Sequence, residues 1–166
     1  MTKQAKTVRE IALHVLERIE QDGSYSHLLI DQAIKKAQLS SKDAKLLTEM
    51  VYGTISHKLT LEYFLQPYLK TKKEPEKWVL LLLLMSLYQM VYLDKVPTYA
   101  VIHEAVEIAK KRGHKGIASF VNGVLRNFSR NGPEDITKIS DPIKRLALET
   151  SHPQWLVRRW LDHYGY

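Results

Sequence analysis

The stretch that most constrains the fold is Trp78–Leu93, which reads WVLLLLLMSLYQMVYL. Only Ser86 and Gln89 interrupt it, so a helix built from it is apolar all round and must lie inside a protein core or a membrane. Its 16 residues fall short of the roughly 20 that a bilayer-spanning helix needs. We therefore predict a soluble all-α bundle around a central buried helix over about residues 75–93, with no membrane partner.

Amphipathic segments surround this stretch and supply the apolar faces that such a core needs. Apolar residues recur at helical spacing over about residues 4–21, 26–37, 40–56, 59–69, 99–112 and 116–130. Ser40 begins one of these segments and Thr98 precedes another, and at both places the hydroxyl group can cap free backbone N–H groups. Gly53 lies inside a predicted helix, where glycine costs about 1 kcal/mol relative to alanine. Such a glycine indicates that another helix approaches closely.

The last amphipathic helix is followed by an Asn-Gly-Pro sequence, and the composition changes there. We predict one helical domain over residues 1–132, and then a linker and the start of a next module over residues 133–166. A short helix is expected over about residues 142–150, with another after it. The final segment carries Trp155 and Trp160, which are expected to pack on the helical core or on a downstream module.

The sequence lacks the residues that several classes of function require. The chain has no cysteine, which excludes disulfides, thiolate metal sites and cysteine nucleophiles. Its seven histidines show no metal-ligand spacing, and no phosphate-binding loop or G-x-S-x-G motif occurs. Gly113-His114-Lys115-Gly116 resembles the loop of KH domains, but the strands of that fold are not predicted, so we interpret it as an inter-helix turn. No catalytic, cofactor-binding or metal site is predicted.

Basic charge is the remaining functional signal. The net charge is +7, and residues 95–130 alone carry seven basic and two acidic side chains. Uneven positive charge suggests an anionic partner, most commonly nucleic acid, although a solvated surface that compensates helix dipoles explains it equally well. The candidate RNA-binding residues lie near helix ends: Lys3, Lys6, Arg9, Lys110, Lys111, Arg112, Lys115, Arg126 and Arg130.

Several ordered motifs resemble the signature of the NusB family. They are Arg9-Glu10-Ile11-Ala12, Leu47 through Thr54, Val96-Pro97 with Glu104 through Lys111, and Phe120 through Arg126. The resemblance covers about residues 4–130 and implies a compact helical bundle that binds RNA. The family commonly has Asn before Glu-Ala-Val, where this chain has His103, so the role of that position is left open.

Further motifs distinguish between two groups of NusB-like proteins. One is the free-standing transcription antitermination factor, which binds RNA and a ribosomal protein. The other is the N-terminal domain of the RsmB/Sun (Fmu) family of rRNA cytosine-C5 methyltransferases. The stretch ending in Val51-Tyr52-Gly53-Thr54 and the segment Ser151-His152-Pro153-Gln154-Trp155-Leu156 are similar to the second group, which is our prediction; the antitermination factor is the alternative.

The resemblance to the methyltransferases implies a domain that helps present small-subunit rRNA to a cytoplasmic enzyme. The catalytic cysteines and the S-adenosylmethionine site would belong to that enzyme's C-terminal methyltransferase domain. This chain is then a fragment with no activity and no cofactor of its own. Its partners would be RNA and that C-terminal domain, on which the basic faces could dock instead of on RNA.

Overall fold

The computed structural model of the protein describes residues 6–23, 26–69, 74–133 and 141–151. Within these ranges the chain forms helices and no strand, which confirms the predicted all-α class. The helices are α1 (Val8–Asp22), α2 (Ser26–Ala37), α3 (Ser41–Ser56), α4 (Lys58–Leu65), α5 (Lys77–Tyr92), α6 (Thr98–Arg112), α7 (Lys115–Asn131) and α8 (Pro142–Thr150). The predictions made for Lys3, Trp155 and Trp160 lie outside the described residues.

The predicted central helix is α5. Every residue from 81 to 89 is buried, and α5 contacts α1, α3, α4, α6 and α7. Its two polar interruptions bond within the helix: Ser86 Oγ donates to the Leu82 carbonyl (2.8 Å) and Gln89 Nε2 to the Met85 carbonyl (3.1 Å). Burial therefore leaves neither group unsatisfied. In the described part of the chain, no helix combines the length and apolar character needed to cross a membrane.

The helix ends confirm one predicted cap and correct two boundaries. Ser40 Oγ accepts a hydrogen bond from the Asp43 N–H (3.2 Å), as predicted. Thr98 does not cap α6, because the preceding carbonyl of Pro97 already accepts the first helical hydrogen bonds and Thr98 is the first helical residue. The first helix begins later than residue 4, because Thr7 is extended and its hydroxyl caps α1.

The close approach predicted at Gly53 is confirmed and involves the side chain of Tyr88. A Cβ atom added to Gly53 would lie 1.9 Å from Cζ of Tyr88, a distance that no pair of non-bonded carbon atoms can adopt. Both residues are buried, so α3 and α5 pack together here only because position 53 has no side chain.

We expect Gly53→Ala to lower the free energy of unfolding by about 1–3 kcal/mol, the usual cost of overpacking a core. The matched control is Gly123→Ala in α7, where an added Cβ meets nothing within 4 Å. That change should raise the free energy of unfolding by up to about 1 kcal/mol, because alanine favours the helix. Urea unfolding of both variants measures the two values, and equal signs would contradict the packing account.

The short helix α8 follows the predicted boundary of the bundle and packs on α4. Thr60 Oγ1 donates a hydrogen bond to the Leu148 carbonyl, and the Leu59 N–H donates to Ser151 Oγ (3.0 Å). Residues 141–151 are therefore held against the bundle. The division of the chain at residue 132 stays a prediction.

Candidate nucleic-acid interface

The turn between α6 and α7 brings together two helices that each carry three lysine or arginine residues. Gly113 and His114 join them, which confirms the predicted inter-helix turn. His114 Nδ1 accepts from the N–H groups of Gly116 (3.0 Å) and Ile117 (3.4 Å) and so caps α7. Histidine is not among the usual capping residues, and for that reason the sequence analysis missed this cap.

The outer surfaces of α6 and α7 form an open groove of about 880 Å³, which we call the α6–α7 groove. Four of the candidate RNA-binding residues line it: Lys110, Lys115, Arg126 and Arg130. Tyr99 and His103 line the same groove. Glu107 is its one acidic lining residue in the described part of the chain, so the groove has an excess of positive charge.

The four cations differ in whether their charged groups already form contacts within the protein. Lys110 pairs with Glu107 (3.4 Å), and Arg126 Nε donates to Asn122 Oδ1 (3.0 Å). Neither Lys115 nor Arg130 forms an ion pair with any described residue. These two cations can therefore bind an external anion without first breaking an internal pair.

Tyr99 contributes an aromatic surface that the sequence analysis missed. Its side chain lies in the first turn of α6 and is 78% exposed. An exposed aromatic ring beside cations can stack on a nucleobase while the cations bind phosphates. Tyr99 is one of nine tyrosines in the chain, and a tyrosine in an amphipathic helix can equally well be a core residue. The signal for it in the sequence was therefore weak. His103 is exposed on the same side of α6.

The other half of the predicted cluster at the end of α6 faces α1 instead. Lys111 Nζ lies 3.0 Å from Glu10 Oε1. Arg112 makes a two-pronged contact with Glu17, and its guanidinium lies 4.8 Å from the ring centre of Trp78. The hydrogen bonds that Arg112 donates to the Glu17 carboxylate raise the pKa of Arg112. The structure thus divides one basic run in the sequence between two surfaces.

Arg9 is not part of an exposed basic surface. Its Nε donates to Gln89 Oε1 (2.6 Å), and its guanidinium pairs with Glu104. The side chain of Arg9 is only 14% exposed, so it joins α1, α5 and α6. The expectation that Arg9 is available to RNA is corrected for this reason. Lys6 is exposed just before α1.

Comparisons with known proteins agree on one family. Residues 6–130 match the model of the NusB family. The chain is 54% identical over 160 residues to the probable ribosomal RNA small subunit methyltransferase B of Bacillus subtilis (strain 168), an alignment that covers 96% of this chain and 36% of that protein. The chain therefore spans about a third of the length of this relative, and it covers a similar share of the homologous enzyme of Thermus thermophilus, to which it is 31% identical.

A second group of relatives is shorter. The chain is 33% identical to the transcription antitermination protein NusB of Bacillus velezensis, over 74% of this chain and 93% of that protein. Among solved structures, it resembles the crystal structure of antitermination factors NusB and NusE in complex with dsRNA, with a TM-score of 0.65 and 18% identity over 74% of this chain and 93% of that chain. At that identity the likeness shows the shared helical fold.

Proposed function

The chain belongs to the NusB family, as its motifs predicted, and we propose that it binds and positions small-subunit rRNA for a methyltransferase that modifies cytosine at C5. The similarity to ribosomal RNA small subunit methyltransferases B over almost the whole chain supports this assignment. The observation that carries it is the α6–α7 groove, which combines four cations with one highly exposed aromatic ring.

The groove suits a nucleic acid because it offers both kinds of contact that RNA needs. Lysine and arginine neutralise phosphates and set the position of the strand, whereas contacts to bases add selectivity. Tyr99 and Lys110 lie eleven residues apart on α6, which corresponds to roughly 16 Å along the helix. A strand in the groove could therefore stack a base at one end and bind phosphates along its length.

The whole enzyme would supply the chemistry. S-adenosylmethionine and the catalytic cysteines would lie in its C-terminal methyltransferase domain, and we assign no cofactor contact and no catalytic role to this chain. Its partners would be small-subunit rRNA and that domain, and such an enzyme would work in the cytoplasm.

The test is a titration of labelled small-subunit rRNA fragments with the protein at several salt concentrations. Four phosphate contacts predict that the logarithm of the association constant falls with the logarithm of salt with a slope of about −2.8 to −3.6. Absence of binding at low salt, or binding that does not depend on salt, would contradict the proposal.

Removing three groove cations in Lys115→Ala/Arg126→Ala/Arg130→Ala should weaken rRNA binding by on the order of 100-fold, at about 1 kcal/mol for each exposed contact. The salt slope should become shallower by about two to three. The control Lys36→Ala/Lys42→Ala/Lys45→Ala removes the same charge from exposed positions on α2 and α3. Equal losses in both variants would mean that net charge, and not the groove, governs binding.

The alternative function is that of an antitermination factor that binds RNA and a ribosomal protein. The near-complete coverage of the NusB relative favours it. The coding sequence beyond Tyr166 discriminates between the two functions. Continuation into a cysteine-containing methyltransferase domain supports the first proposal, whereas a stop codon at that position supports the alternative.

A further inference from the structure

Two glutamates of α1 hold the two cations that lie just outside the α6–α7 groove. Glu10 pairs with Lys111, and Glu17 makes the two-pronged contact with Arg112. Both pairs join residues about a hundred positions apart in the chain. Both glutamate side chains are less than one-fifth exposed, whereas those of Lys111 and Arg112 are 46% and 37% exposed. The cations are thus accessible to solvent but already neutralised.

Without these carboxylates Lys111 and Arg112 would lose their ion-pair partners on α1. Burial lowers the pKa of His14, and the positive charges of Lys6, Arg112 and Arg18 lower it further, whereas Glu17 opposes them. Arg112 and its partner Glu17 thus act in opposite directions on this imidazole of α1. Lys111 and Arg112 are the two cations that these glutamates pair with on this side, and we call the surface that carries them the α1–α6 face.

The α1–α6 face is continuous with the groove at the C-terminal end of α6. Lys110 lines the groove, and Lys111 follows it at about 100° around the helix. An RNA backbone bound to Lys110 is therefore within reach of Lys111 unless something prevents the contact. A phosphate that approaches Lys111 or Arg112 competes with a carboxylate that already pairs with the cation, and full pairing with the phosphate exchanges one ion pair for another. At Lys115 and Arg130 no such exchange is needed.

We propose that Glu10 and Glu17 determine where RNA binds, because they neutralise Lys111 and Arg112 and so confine the RNA backbone to the α6–α7 groove. This inference rests on the proposed RNA-binding function and adds a repulsive element to it. Specificity commonly requires such an element as well as attractive contacts. The two glutamates touch no RNA in this arrangement and act through the cations that they occupy.

The test uses Glu10→Gln/Glu17→Gln, which keeps the side-chain shapes and releases both cations. We expect rRNA fragments to bind about tenfold more tightly to this variant. The salt slope should become steeper by about 1.4–1.8, because up to two phosphate contacts are added. Ultraviolet crosslinking should then map RNA to the end of α6 and to α1, in addition to the groove. Adding Lys111→Gln/Arg112→Gln to the variant should abolish the gain.

The control is Glu20→Gln/Glu149→Gln, which removes the same charge elsewhere on the surface, releases Arg145 and leaves Lys58 with its weaker contact to Glu62. We expect its affinity to change less than threefold. If the control gains as much as the test variant, or the test variant gains nothing while the wild-type protein binds RNA through the groove, this inference fails and the proposed function stands. If the wild-type protein binds no rRNA, both fail.

Discussion

Leu83→Ala is expected to lower the free energy of unfolding by about 2–5 kcal/mol, the range measured for deleting a large aliphatic side chain from a protein core. Leu83 is fully buried in the middle of α5, the helix that five others contact. Truncation would remove apolar contacts and leave a cavity that surrounding helices can fill only in part. Because the free energy of unfolding of small domains is only about 5–15 kcal/mol, this single change would remove a large part of the stability. Urea unfolding followed by circular dichroism measures the effect.

Two controls separate burial from side-chain chemistry. Leu28→Ala deletes the same atoms from α2, where the leucine is 51% exposed, so it should change the free energy of unfolding by less than about 0.5 kcal/mol, as is usual at the surface. Leu83→Met nearly conserves the volume and should cost less than about 1.5 kcal/mol. A loss at Leu28 as large as that at Leu83 would show that α5 is not the core helix.

Arg9→Glu is expected to cost up to about 3–5 kcal/mol, which is the range for a fully buried ion pair and therefore the upper limit for this partly buried one, whose side chains are 14% and 28% exposed. The substitution would place two carboxylates together, since Glu104 loses its cation and gains a like charge. It would also remove the donor that bonds Gln89, which is fully buried. Because Arg9 contacts residues of both α5 and α6, we expect this charge reversal to disturb the fold and not only the surface charge.

The matched comparison is Lys111→Glu, which makes the same charge change in an ion pair whose lysine is 46% exposed. Exposed pairs contribute about 0–1 kcal/mol, so this variant should stay folded. Thermal and urea unfolding of the two variants give the contrast directly. Equal destabilisation would refute the structural role of Arg9. The swapped pair Arg9→Glu/Glu104→Arg should recover part of the loss, because it restores opposite charges at the same positions.

The helices and their core were predictable because their signals are local. The apolar run of α5, with only two polar residues in it, required burial wherever it lay in the chain. The serine before α3 and the Asn-Gly-Pro sequence after α7 marked helix ends through chemistry confined to a few residues. Gly53 predicted the close approach of another helix, but only the structure shows that the neighbour is the side chain of Tyr88. The family motifs then indicated which helical bundle these elements form.

The candidate site was predictable only in its residue types. Lys110, Lys111 and Arg112 are all basic and are adjacent in the sequence. In the structure Lys110 lines the groove, whereas Lys111 and Arg112 form ion pairs with glutamates of α1. Tyr99 carries no local mark that distinguishes an exposed ring from a core ring. The cap that His114 provides to α7 was missed because histidine is not one of the usual capping residues.

What the sequence determined by itself, therefore, was the set of helices, the helix at their centre and an excess of positive charge on the segment that includes α6 and α7. What the tertiary structure decided was which of those charges remain available. The partners of Arg9, Lys111 and Arg112 lie 95 to 101 residues away along the chain. Helix formation depends on neighbours within a turn or two, whereas ion pairing depends on which surfaces meet once all the helices have packed.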